Sequence, residues 1–176
     1  MKQWGVLMLA AVCMAAAGCG SDSPSSPSTN NPTTVTLTAQ LRPSNEVPPV
    51  TGSESSGTGN ATITLHLTRD AAGAIQSGTI DFQFSLSGFP AGTNIVAAHI
   101  HPAAVGATGP VLIGVTGISA STPLALANGS GSFQANGVTA DAANLQGIID
   151  APANFYFNVH SSLNPGGVAR GQLTKQ

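Results

Sequence analysis

Three histidines and their immediate neighbours carry most of the chemistry this sequence offers. His99 and His101 flank Ile100 in a run that alternates polar and apolar residues. Side chains on a strand point alternately to its two faces, so both imidazoles project to one side and Ile100 to the other. A second run, Phe155-Tyr156-Phe157-Asn158-Val159-His160, sets Phe155, Phe157 and Val159 on an apolar face. Tyr156, Asn158 and His160 then share the opposite, polar face. If the two strands pair or face one another, His99, His101 and His160 converge. Three neutral imidazoles suit Zn(II) or Cu(II). The same residues also suit a polar cluster bonded to Asn158, Tyr156 or loop carbonyls, or a pocket for some other ligand. All three readings stay open at this level.

Neighbouring residues narrow the chemistry. No carboxylate adjoins either histidine motif, which argues against acid–base catalysis. Ser161 and Ser162 follow His160, but adjacent strand residues face opposite ways and no orienting Asp is evident, so no nucleophile constellation is predicted. His66 falls on the Thr-rich face of its own run and is expected in solvent.

Charge is scarce. Charged residues are 7% of the chain, against about 25% in an average soluble protein. Lys and Arg total five and the formal net charge is −2. A nucleic-acid partner needs a basic face to neutralise phosphates, and none can be built here. Against that background Glu46 and Arg170 stand out, one just after the first alternating run and one in the last. Terminal strands often lie side by side, so a partly buried Glu46–Arg170 ion pair is expected. Val47-Pro48-Pro49 reads as a rigid loop or strand exit, because proline fixes φ and lacks a donor. Gly106, Gly109 and Pro110 read as turn residues.

The elements that position these groups are strands. Period-two alternation runs through 35–41, 61–68 and 80–86, and strands are also read at 95–101, 111–115, 129–135, 155–160 and 169–174. The segment Arg69-Asp70-Ala71-Ala72-Gly73 is a turn by composition, so 61–68 and 80–86 should form a hairpin. A short helix is expected only around 141–149. Eight or so strands separated by turn signals predict an all-β Greek-key β-sandwich, immunoglobulin-like or superoxide-dismutase-like, with a closed β-barrel as the alternative.

The N-terminus is of another kind. Lys2 precedes an apolar run, Val6 to Ala17, that is short for a membrane span. Ala16-Ala17-Gly18 lead into Cys19, an arrangement that resembles the lipobox of bacterial lipoproteins, with Ala16 where leucine is usual. Residues 1–18 then read as a lipoprotein signal peptide, Cys19 as the lipidated residue, and 19–34 as a disordered Ser/Pro/Thr/Asn tether. Such a tether reaches on the order of 20 Å. Cys13 would leave with the signal peptide, so the domain at 35–176 would have neither thiol nor disulfide.

Four segments occur in a telling order: Asn45-Glu46-Val47-Pro48-Pro49-Val50, Ala98-His99-Ile100-His101 with Gly109-Pro110 beyond, Tyr156-Phe157-Asn158-Val159-His160, and Arg170-Gly171-Gln172-Leu173. Together they resemble the CHRD domain, a module shared by chordin and many bacterial secreted proteins. The resemblance spans Thr36 to Leu173. Its bacterial members look extracytoplasmic and have no assigned biochemical role, and the growth-factor ligand of chordin is not expected here. Val168-Ala169 stand where the family often has an acidic residue before the arginine. The H-x-H pair is also similar to a fragment of copper–zinc superoxide dismutases, a likeness of fold and motif alone.

The expectation is therefore a non-enzymatic binding module, extracytoplasmic and lipid-anchored to a bacterial membrane. Gly20 rather than Asp follows the cysteine, which favours the outer membrane where one exists. The partners expected are that membrane, a copper or zinc ion, or another envelope protein. A dismutase-like copper enzyme and a structural or adhesive envelope protein are the alternatives.

Overall fold

The computed structural model describes Met1 and residues 31–176. The signal peptide, Cys19 and most of the expected tether lie outside the described residues.

The alternating runs become strands with one buried face. β1 (Thr34–Leu41) buries Val35, Leu37, Ala39 and Leu41, and β2 (Thr58–Arg69) buries Ala61, Ile63, Leu65 and Leu67. β3 (Ile75–Ser87) turns Ile80, Phe82, Phe84 and Leu86 to the same side. The β2–β3 hairpin forms at the expected turn. The Asp70 carboxylate accepts the backbone N–H groups of Ala72 and Ala74 at 3.0 and 2.9 Å, and Gly73 closes the turn at φ +85°.

Seven further strands and one helix follow: β4 (Thr93–Pro102), β5 (Ile113–Gly114), β6 (Leu124–Leu126), β7 (Gly131–Ala140), α1 (Ala142–Asp150), β8 (Phe155–Ser161), β9 (Ala169–Gln172) and β10 (Thr174–Lys175). The first sheet runs β10-β1-β2-β3-β7. The second runs β5-β4-β8-β9, with β6 also on the outer edge of β4. All pairings are antiparallel. The chain crosses from β3 to β4 and back to β7 beside β3, then from β7 across to β8 beside β4. These crossovers give the Greek-key β-sandwich; the sheets do not close into a barrel.

Several boundaries differ from the alternation. The 111–115 run shrinks to β5, β7 extends to Ala140, and β6 has too few residues to show a period. The last run divides at Leu173, which is buried and donates its N–H to the Phe155 carbonyl at 2.9 Å. β9 stays in the second sheet while β10 joins the first beside β1. Alternation marks burial, and Leu173 keeps the period while the hydrogen-bonding partner changes.

Aromatic rings tie the two sheets together. Phe157 on β8 packs against Phe82 and Phe84 on β3, with centroids 5.9 and 5.7 Å apart. The apolar face of β8 is thus fixed from behind, and its other face is left for polar work. At the edge, Arg42 and Arg170 exchange backbone bonds of 3.0 and 3.3 Å. A Cβ on Gly171 would lie 2.2 Å from the Gln40 carbonyl oxygen, so only glycine lets β9 approach β1 this closely.

Candidate metal centre

β4 and β8 pair with His99 opposite Asn158, His101 opposite Tyr156 and Ala97 opposite His160. On the next strand Arg170 lies opposite Asn158 and Gln172 opposite Tyr156. Inward residues Ala98, Ile100, Phe157 and Val159 are fully buried in the core. The outer face of the second sheet therefore gathers the polar residues of the two histidine motifs. It is not left to solvent, because His101, Tyr156, Asn158, His160 and Arg170 are all buried and His99 is half-buried.

The three imidazoles converge, with one nitrogen from each lying within 4.8 Å of the others. His99 Nδ1 is 3.0 Å from His160 Nε2. Backbone carbonyls fix two tautomers, since a carbonyl only accepts. His160 donates Nδ1–H to Pro165 O at 2.9 Å, and His101 donates Nδ1–H to Gly109 O and Pro110 O at 3.0 and 2.9 Å. Both Nε2 atoms are thereby left as lone pairs. That of His101 is buried without a hydrogen-bond partner. A carbonyl behind an imidazole, as at His101 and His160, is the arrangement that orients a metal-ligating histidine.

Electrostatics keep two of the three imidazoles neutral. Burial, with the neighbouring histidines adding to it, pushes His99 down to about 4, and burial also lowers His160. Near pH 7 both are neutral imidazoles, the form in which histidine binds a metal. Protons compete little for these nitrogens.

A stacked column supports His101 from one side. The Tyr156 ring lies 4.8 Å from that of His101 and 5° from parallel, and the Arg170 guanidinium sits 4.4 Å from the Tyr156 centroid. Arg170 also donates to the carbonyls of Asn45 and Ala107 at 2.6 and 2.9 Å. It thus ties two loops over the polar face.

The expected Glu46–Arg170 bridge is not made as a contact. Among the described residues the one salt-bridge contact joins the exposed His66 and Asp81 at 2.9 Å, a pair worth little in water. Glu46 and Arg170 are both buried and feel each other's charge, but Arg170 spends its donors on carbonyls. Glu46 Oε1 and Arg170 Nη2 each lack a partner. Desolvation raises the Glu46 pKa from 4.5 to about 7, against the opposing pull of Arg170 and of the Asn158 amide.

Sequence reasoning also missed Glu54, which is 3% exposed and accepts from Ser161 and Asn164, both at 2.6 Å. The scarcity of charge that singled out Glu46 applied equally to Glu54. The carbonyls of Gly109, Pro110 and Pro165 had no such signal, because a backbone oxygen has no residue type.

Residues 37–173 match the family model described as the CHRD domain. No curated protein and no solved structure matches the chain.

Proposed function

We propose that this chain, which belongs to the CHRD domain family, is a binding module that holds one copper or zinc ion through His99, His101 and His160. We further propose that it works outside the cytoplasm, anchored to a bacterial membrane by an acylated Cys19. The observation that carries the metal reading is an excess of acceptors. His101 Nε2 is buried without a hydrogen-bond partner, and His160 Nε2, itself an acceptor, has another imidazole nitrogen at 3.0 Å and the Asn158 amide oxygen at 3.1 Å. An unpaired buried acceptor is costly, and a cation would satisfy it together with the imidazole nitrogens beside it. A proton is a poor substitute, because burial holds His99 and His160 neutral.

Geometry supports the same reading. Two nitrogens bound to one tetrahedral zinc at 2.0–2.1 Å stand roughly 3.3 Å apart. His99 Nδ1 and His160 Nε2 stand near that separation, at 3.0 Å.

Equilibrium dialysis against Cu(II) and Zn(II) tests the proposal. The native protein is expected to retain one equivalent, and a His99→Ala/His101→Ala variant none above background. At a hundredfold excess over the dissociation constant the metal should add about 2.7 kcal/mol to native stability. For a domain of this size that is a melting shift of roughly 5–10 °C, absent from the variant. Equal retention by both proteins, or no retention by the native one, sinks the metal reading. For the anchor, Cys19→Ser should abolish labelling by palmitate and move the protein from the membrane to the aqueous fraction. Unchanged labelling would rule out that cysteine.

A further inference from the structure

The geometry points to Asn158 as a fourth ligand, its Oδ1 completing the coordination of a divalent cation held by His99, His101 and His160. The inference rests on the metal-binding reading above and deepens it. Asn158 is 2% exposed and lies directly opposite His99 in the β4–β8 register. Cross-strand partners keep their Cβ atoms about 4.5–5.5 Å apart, so the amide starts from inside the cluster.

Its oxygen lies 3.1 Å from His160 Nε2. That contact is not an ordinary hydrogen bond. The carbonyl of Pro165 accepts from Nδ1–H of His160, which leaves Nε2 of that imidazole as the acceptor nitrogen. Two acceptors therefore face each other across a hydrogen-bonding distance. Turning the amide over would relieve the conflict, but it would swing the amide oxygen toward the Glu46 carboxyl, whose pKa Asn158 lowers as the amide now lies. What reconciles two lone pairs at 3.1 Å is a cation between them.

The spacing fits. His160 Nε2 has His99 Nδ1 at 3.0 Å and Asn158 Oδ1 at 3.1 Å, both close to the roughly 3.3 Å between tetrahedral neighbours on one ion. Among the described residues no carboxylate or thiol joins the histidine cluster. The set is three imidazole nitrogens and one amide oxygen, with no anionic ligand among them. It leaves the ion its full charge and suits Cu(II) or Zn(II) rather than a thiophilic ion.

The test uses the full chain with Asn158→Leu, close in volume without an oxygen, and Asn158→Asp, which restores one. Zn(II) affinity is measured by competition with a chromophoric chelator, and Cu(II) coordination by electron paramagnetic resonance. Asn158→Leu should weaken Zn(II) at least 10-fold and change the copper hyperfine pattern, with Asn158→Asp recovering or exceeding native affinity. Circular dichroism establishes that each variant is folded, and Asn158→Asp alone remains informative through its altered copper spectrum if the leucine variant unfolds. Native affinity and an unchanged copper spectrum in the variants overturn the inference and assign the fourth position to water, leaving the three-histidine site intact. Failure of the native protein to bind either metal overturns both readings.

Discussion

Replacing Arg170 by alanine should lower the unfolding free energy by about 3–5 kcal/mol, the range for breaking a buried charged network. Arg170 heads the fully buried side chains by volume and is 1% exposed. Three kinds of interaction disappear together. The carbonyls of Asn45 and Ala107 lose their donors, and the face of Tyr156 loses its cation. A cavity opens under both loops, which relax only in part. Arg170→Lys should recover little, because a single ammonium cannot span two carbonyls and a ring as a planar fork does. Urea unfolding of the metal-free protein measures the effect. A loss under 1 kcal/mol for the alanine variant would falsify the view that this residue clamps the loops.

A comparable effect should appear as a dependence on pH, through Glu46. Its pKa is about 7 in the folded protein against an ordinary 4.5. Below 4.5 both states hold the proton and the difference has no effect. Between 4.5 and 7 the unfolded chain releases its proton while the folded one keeps it, so stability falls as pH rises. Above 7 the deficit levels off at about 3 kcal/mol, since one pKa unit is 1.36 kcal/mol. Opposing it, His99 drops from 6.5 to about 4 on folding. The unfolded chain then takes up a proton the folded one refuses, so this part of the stability falls as pH drops below 6.5. The two trends overlap, and the native profile alone does not separate them. Glu46→Gln does. Relative to native, the variant should gain about 3 kcal/mol between pH 4.5 and pH 8, with chelator present throughout. A constant difference across that range would mean that Glu46 ionises normally.

Much of this fold could be read from residue order, and the reason is visible in β1, β2 and β3. Each buries one face only, so the core prints a period of two on the sequence. The hairpin turn was equally plain, because Asp70 and Gly73 are there for the backbone they permit. What escaped was the partner each edge takes. Leu173 keeps the alternation while the chain passes from one sheet to the other, and β6 is three residues long. The histidine face was legible as three residues on two strands. Their meeting depends on β4 pairing with β8 across 61 residues, which no local pattern records. Glu46 and Arg170 were marked by the scarcity of charge. Their lack of a mutual contact was not, because Arg170 goes to backbone carbonyls that every residue possesses.

The β4–β8 pairing has a consequence for the order of events in the life of the chain. Ligands drawn from strands so far apart do not exist as a set in the unfolded polypeptide, which offers only the His99–His101 pair. Non-local β pairings of this kind form slowly, on the millisecond-to-second scale. The described domain contains no cysteine to hold it together meanwhile. Folding must therefore come first and loading second. On the proposed metal reading, an ion would act as a lock on a finished sandwich rather than as a template for one, and the ion captured would be whichever one is available where folding ends.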